Sequence, residues 1–184
     1  IVCPGTGKEP ASFAFVQCAG SRDENHLEHC SYICCMATFK HISYIREQYP
    51  EAKIYVFYID LRTPGKYEHF REKFMADPNT TFIKGKVADI VVERDGGVTL
   101  TAENALTGAK VNQKVDLCVL ATGMEPALKE QGKGLGVTMD GNGFVVSEPA
   151  KGMIAAGCAK SAVDVYTSGQ SSTAAALKAI QIGR

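Results

Sequence analysis

Two apolar runs of strand character, with a helical segment between them, constrain this chain more than any other feature. Ser12–Cys18 (SFAFVQC) lies between Pro10 and Gly20 and reads as a buried strand. Lys53–Asp60 (KIYVFYID) is rich in β-branched and aromatic residues, which suit a pleated, half-buried surface. Between them Cys35, Phe39, Ile42, Ile45 and Tyr49 recur at intervals of three and four. That is the spacing of one helix face, predicted to run from Ser31 to a stop at Pro50. A second helix is expected over Lys66–Met75, after the Thr63-Pro-Gly turn. Three strands then follow, Thr81–Val92, Gly97–Ala102 and Lys110–Ala121, separated by Asp95-Gly-Gly and Leu106-Thr-Gly turns. This is the pattern of a β-meander. Strand, helix, strand, helix and meander together predict an α/β fold with a Rossmann-like domain. Beyond Gly123 come Gly-rich loops, short strands at Gly143–Ser147 and Met153–Ala156, and an Ala-rich helix over Ser168–Ile182. We place a domain boundary between residues 117 and 118, with 118–184 belonging to a second domain.

Composition narrows the class. With 184 residues, 45% of them hydrophobic and 22% charged, the chain can bury a core without staples. Twenty basic residues balance twenty acidic ones, so the basic excess expected of a binder of nucleic-acid phosphates is missing. No apolar run reaches the roughly 18 residues of a membrane span, and no export leader is visible. A cytoplasmic location is the expectation. Ile1-Val-Cys-Pro-Gly-Thr-Gly reads like the end of a strand entering a turn, so the sequence is expected to begin inside a longer protein.

Seven cysteines lie at positions 3, 18, 30, 34, 35, 118 and 158. Their odd number and the lack of an export signal weaken a disulfide framework. Cys18, Cys30, Cys34 and Cys35 are spaced C-x11-C-x3-C-C. If the turn from Cys30 is helical, Cys30 and Cys34 stack one above the other with Cys35 beside them. The helix N-terminus there favours thiolate, and Cys18 would complete a four-thiolate set. Such a set suits an iron–sulfur cluster or a zinc ion. Zinc bound with help from His26 or His29, a dithiol redox pair and plain core cysteines stay open on spacing alone. Adjacent Cys34 and Cys35 do not readily form a relaxed disulfide.

The first strand–helix turn of a dinucleotide-binding unit carries G-x-G-x-x-G, whose glycines let a pyrophosphate approach the helix. Here that turn reads Cys18-Ala-Gly-Ser-Arg-Asp-Glu, keeping only Gly20. Asp60 stands where a ribose-binding acid would sit, although a strand-end turn residue accounts for it more simply. Pyridine nucleotide binding is not expected.

Val119-Leu-Ala-Thr-Gly-Met-Glu-Pro126 resembles the A-T-G segment that ends the central domain of two-dinucleotide-domain flavoproteins. Ile154-Ala-Ala-Gly-Cys158, with Asp164 and the Ala-rich helix, resembles their C-terminal FAD segment, with Cys158 where an Asp is usual. Taken with Phe15-Val-Gln-Cys-Ala-Gly-Ser-Arg-Asp23 and Cys30-Ser-Tyr-Ile-Cys-Cys-Met36, the sequence resembles the heterodisulfide reductase A-subunit family. Tyr55-Val-Phe-Tyr-Ile-Asp-Leu-Arg-Thr-Pro-Gly65 and Ala156-Gly-Cys-Ala-Lys160 tilt the resemblance towards the A-subunits of quinone-interacting membrane-bound oxidoreductase complexes. The resemblance runs over nearly the whole sequence and corresponds to the C-terminal part of such a protein.

It implies a flavin/iron–sulfur electron-transfer oxidoreductase subunit, with residues 118–184 forming part of an FAD-binding domain. The implied cofactors are FAD, held in part by Thr122, Gly123, Gly157, Cys158 and Asp164, and a [4Fe–4S] cluster on Cys18, Cys30, Cys34 and Cys35. Implied partners are the other subunits of a membrane-associated redox complex and adenylylsulfate reductase, with membrane contact only through those subunits. Gln17, Gly20, Ser21 and Arg22 are available as donors that tune a cluster. A zinc-stabilised docking module and a relative of pyridine-nucleotide disulfide reductases are the competing readings.

Overall fold

In the computed structural model, which describes residues 1–132 and 134–183, the run Ser12–Val16 becomes strand β1. It lies between two parallel neighbours. Helix α1 (Cys34–Gln48) carries the chain over to β2 (Lys53–Tyr58) on one side of β1. Helix α2 (Glu68–Met75), entered through a short 3-10 turn at Gly65–Tyr67, leads to β3 (Thr80–Lys84) beyond β2. The meander is β4 (Val87–Val92), β5 (Val98–Glu103) and β6 (Lys110–Val115), and β7 (Leu117–Leu120) returns to the other side of β1. The parallel sheet has the order β3-β2-β1-β7, and β4-β5-β6 forms a separate antiparallel sheet.

The period of two in β1 builds the core on both faces of the parallel sheet. Phe13 and Phe15 pack with Phe39, Ile42 and Ile45 of α1 and with Phe74 of α2. Ala14 and Val16 face the other way, with Leu100, Ala102 and Val115 of the antiparallel sheet. Helices, parallel sheet and antiparallel sheet are thus three layers around two apolar seams, the arrangement that buries both sheet faces.

Two of the three expected meander strands are each two strands in different sheets. The run Thr81–Val92 breaks after Lys84, because Gly85 turns the chain from β3 into β4. A Cβ at Gly85 would collide with the carbonyl oxygen of Glu103, and the Gly85 N–H donates to Tyr58 O at 2.8 Å. The run Lys110–Ala121 breaks at Asp116, whose carboxylate accepts the N–H groups of Ala11 (3.0 Å) and Ser12 (2.8 Å) and the Ser12 hydroxyl (2.7 Å). These bonds hold the crossing point between the sheets.

The chain divides into two units, one of Ile1–Ala19 with Cys34–Thr122, the other of Gly20–Ile33 with the chain from Gly123 onward. Because β7 is hydrogen-bonded into the parallel sheet, residues 118–122 lie with the first unit, although the expected boundary falls between 117 and 118. In the second unit, α3 (Leu128–Gln131), α4 (Gly157–Lys160) and α5 (Val165–Ile182) are helical. The short strands expected at Gly143–Ser147 and Met153–Ala156 are single bridges, Met139 with Val145 and Glu148 with Met153. The last helix begins at Val165, three residues earlier than expected, because Asp164 caps it. Among the described residues no helix is long and apolar enough to cross a membrane.

Candidate functional site

In an open α/β sheet, ligands settle outside the carboxyl ends of the strands where the strand order reverses. In the first unit that point lies between β1 and β7, since the chain leaves β1 towards β2 and returns on the opposite side. Ala19 N–H donates to Ala121 O at 3.1 Å and closes the two strand ends together. Gln17 and Cys18 follow β1, the exposed Thr122 follows β7, and Cys34 and Cys35 open α1. Three thiols therefore stand at the switch point where a phosphate-binding loop would carry glycines.

The backbone around them is unusual. Cys18 (φ 56°), Arg22 (φ 56°) and Tyr32 (φ 59°) are the non-glycine residues with positive φ among the described residues. All fall between the end of β1 and the start of α1. Side chains other than Gly, Asn and Asp rarely take this conformation, and such strain collects at functional turns.

Cys35 is buried and its Sγ lies 3.9 Å from Asp60 O, the thiol donating to the carbonyl. The Asp60 carboxylate forms a 3.4 Å ion pair with Arg62, so this side chain is engaged by its own loop. Gln17 is 3% exposed and Thr38 4%, and Gln17 Nε2 donates to Thr38 Oγ1 at 2.5 Å. Gln17 Oε1 is buried without a partner.

Cys30 lies elsewhere in the organisation. It belongs to the segment Gly20–Ile33 of the second unit, while Cys18, Cys34 and Cys35 belong to the first. Helix α1 starts at Cys34 rather than Ser31, so the helical stacking of Cys30 on Cys34 does not occur. Cys30 Sγ instead accepts the Tyr32 N–H at 3.4 Å. Among the described residues no three His, Cys, Asp or Glu side chains gather around one metal position. The thiols of these free cysteines are soft donors of the kind that both zinc and iron–sulfur centres take.

In the second unit the A-T-G segment is tied to the cysteine-bearing segment. Met124 N–H donates to Ser31 Oγ at 2.6 Å, and His29 Nε2 lies 2.9 Å from Met124 O. His29 also sits edge-on to Phe144, with ring centroids 5.1 Å apart. Gly123 has φ 104°, and a Cβ there would lie 2.7 Å from Ser31 Oγ and 3.2 Å from Ser21 Cβ. Ser21 and Ser31 are both buried. Sequence reasoning missed Ser31 and placed His29 only as a possible zinc ligand, because no local signal links positions 93 residues apart.

Gly157 has φ 56°, and its N–H donates to Ser171 Oγ at 3.2 Å. The exposed Cys158 has its Sγ 3.5 Å from Val163 O and 3.7 Å from Ser168 Oγ. Asp164 accepts the Thr167 N–H at 2.7 Å, a helix N-cap. Hydrogen bonding from the Thr167 side chain, and then from its N–H, holds the Asp164 carboxyl below the usual range. A cavity of about 620 Å³ runs between α5 and the chain from Ser147 to Val163. Lys160, Lys178, Thr167, Gln170 and Ser171 line it together with Ile154. Its lining combines cations and hydroxyls with aliphatic carbon, and none of Thr122, Gly123, Gly157, Cys158 and Asp164 is among the lining residues. Cys118, partly buried beside Ala14 of β1, has its thiol pushed up to about 11 by burial. It is a neutral thiol at physiological pH.

Comparisons with known proteins bear on the family and on the fold. No protein-family profile matches the chain. The A-subunit of the ferredoxin:CoB-CoM heterodisulfide reductase of Methanosarcina mazei is 35% identical over 195 aligned positions, covering 99% of this chain and 24% of the relative. A protein of Archaeoglobus profundus named as like the heterodisulfide reductase A-subunit is 34% identical, covering 95% of this chain and 26% of the relative. The second iron-sulfur A-subunit of the CoB–CoM heterodisulfide reductase of Methanopyrus kandleri is 40% identical, covering 68% of this chain and 20% of the relative. The chain therefore spans about a quarter of the length of these relatives. Among solved structures, thioredoxin reductase of Lactococcus lactis superposes with a TM-score of 0.63 at 14% identity, covering 93% of this chain and 52% of that one. Thioredoxin reductase of T. acidophilum gives 0.60 at 15% identity, covering 92% and 52%. These two likenesses show the fold.

Proposed function

The chain belongs to the heterodisulfide reductase A-subunit family, and we propose that it forms the thiol-bearing part of a flavin- and iron–sulfur-dependent electron-transfer protein. The observation that carries this reading is the switch point itself. Cys18, Cys34 and Cys35 stand where nucleotide-binding domains present glycines, which supports a soft metal centre there over a pyrophosphate. The Methanopyrus relative, whose name carries the word "iron-sulfur", supports the same assignment.

In this proposal Cys18, Cys30, Cys34 and Cys35 are the ligands of a [4Fe–4S] cluster. Cys30 is included on the sequence resemblance. FAD is held in part by Thr122, Gly123, Gly157, Cys158 and Asp164. When bound, the two groups would supply flavin two-electron chemistry and one-electron relay. The protein's own contribution is to position and tune. Cys34 and Cys35 open α1, and the Cys35 sulfur lies beside the Asp60 carbonyl. The Tyr32 N–H donates to the Cys30 sulfur. The partly buried, neutral Cys118 stays out of the ligand set. The wider reading places the protein in the cytoplasm, docked to partner subunits at a membrane. There it would carry electrons between quinol and adenylylsulfate reduction, with the segments Tyr55–Gly65 and Ala156–Lys160 as its support.

The test is metal, acid-labile sulfide and flavin analysis of the intact polypeptide purified without oxygen. Iron and sulfide in about fourfold excess over protein, with bound flavin, is the expected result for one such cluster. One zinc per chain without iron would replace this reading with a zinc-stabilised docking module. Neither metal would reject both.

A further inference from the structure

Within the second unit, one stretch of extended chain is paired along one side and bare along the other. Glu148 and Met153 exchange both of their N–H···O bonds, at 2.9 and 3.2 Å. Two residues on, the Ala155 N–H donates to Ser147 Oγ at 3.0 Å. Backbone polar groups of successive residues in an extended chain point to alternate sides, and Ala156 is still extended, at φ −143° and ψ 160°. Met153 and Ala155 therefore face the segment of Ser147 and Glu148, while Ile154 and Ala156 face away from it. The Ile154 N–H and C=O and the Ala156 N–H have no hydrogen-bond partner among the described residues. Both residues are partly buried, and backbone groups withdrawn from water are ordinarily paired.

Helix α5 follows this stretch and shows a matching gap. None of its 18 residues is buried, and Lys178 carries its one charge. A helix without charge on nearly every face is ordinarily an interior helix, and helices draw most of their stability from packing. Between α5 and the stretch lies the cavity of about 620 Å³, walled in part by Pro149, Ile154, Ala155, Val163, Ala174 and Ala175. We propose that the outer edge of Ile154–Ala156 receives a β-strand from polypeptide outside these 184 residues, and that this strand fills the cavity beneath α5. A strand followed by a helix laid against it is half of a βαβ unit, so the incoming strand runs parallel to Ile154–Ala156. It is apolar on both faces, as strands of covered parallel sheets are. This chain covers only 24% and 26% of relatives that are 35% and 34% identical to it, which makes the longer polypeptide the occupant rather than a second copy.

The test uses the intact, longer polypeptide in two measurements. In hydrogen exchange read residue by residue, the Ile154 and Ala156 amides are expected to be protected about a hundredfold or more over the unstructured rate, as paired strand amides are. In the second, a benzophenone amino acid replaces Lys178, which lines the cavity, and its photoadduct is mapped. The expected adduct joins it, within the same molecule, to a residue outside 1–184. Fast exchange at either amide overturns the proposal, as does an adduct confined to residues 1–184 or no adduct at all. An adduct to a second copy, seen as a doubled mass, overturns it in favour of a dimer. If the benzophenone variant does not fold, exchange in the unaltered protein decides alone. Iron and flavin enter neither readout, so the cofactor reading can fail while this inference holds, and the reverse.

Discussion

Asp116 and Ser12 bond each other reciprocally across 104 residues of sequence. The Asp116 carboxylate accepts the Ser12 N–H at 2.8 Å and its hydroxyl at 2.7 Å, and the Asp116 N–H donates to Ser12 Oγ at 3.0 Å. This pair stands at the crossing from the antiparallel sheet to the parallel one, so it sets the register in which β7 enters beside β1.

Replacing Asp116 by Ala should therefore destabilise the fold by about 1.5–3 kcal/mol, the usual scale for hydrogen bonds to a charged acceptor. Bonds from Ser12, and less so from Ala11, hold the Asp116 carboxyl below the usual carboxylate range. A group with a lowered folded-state pKa binds fewer protons when folded, so its contribution is full above the unfolded value of about 3.9. It is lost as pH falls through the lower folded value. Urea midpoints measured from neutral pH down into the acid range should fall more shallowly in Asp116→Asn than in the unaltered protein.

Gly123→Ala tests the tie between the A-T-G segment and the cysteine-bearing segment. The residue would have to adopt φ 104° with its Cβ 2.7 Å from Ser31 Oγ. A loss of about 1–3 kcal/mol is expected from the backbone strain, read as a lowered unfolding temperature. Ser31→Ala relieves the contact but leaves the Met124 N–H without its 2.6 Å acceptor, so the double variant should not recover full stability.

Serine in place of Cys18, Cys34 or Cys35 should abolish or convert the metal centre, as judged by iron content and the spectrum near ~400 nm. Serine at Cys118 should leave iron content unchanged and cost about 1–3 kcal/mol for an unpaired hydroxyl. With its thiol near 11, Cys118 should also resist iodoacetamide at mildly alkaline pH in the native state, because the thiolate is the nucleophile. Rapid alkylation of Cys118 under those conditions would contradict its burial as a neutral thiol.

NADH and NADPH should neither bind tightly nor reduce the intact protein, although the fold is that of thioredoxin reductase. The turn from Cys18 to Glu24 lacks the glycines for close approach of a pyrophosphate, and the Asp60 carboxylate is paired with Arg62. A micromolar dissociation constant by calorimetry would show this expectation to be wrong.

Local pattern determined the elements whose residues report on themselves. The alternation in Ser12–Val16 and the three-and-four spacing of Cys35, Phe39, Ile42 and Ile45 announce one strand and one helix face, and both bury as expected. The thiols at the β1–α1 turn were visible for the same reason, since their types and spacing are local facts. Tertiary structure decided what depends on distant partners. Gly85 and Asp116 split two apparently continuous strands because Tyr58, Ala11 and Ser12 supply hydrogen bonds there that no sequence window contains. Cys30 falls in a different unit from Cys34, four residues away, because Ser31 and His29 bond Met124 instead of continuing a helix. Periodicity records which face of an element is apolar. The partner that satisfies a polar group is chosen only when the chain has closed upon itself.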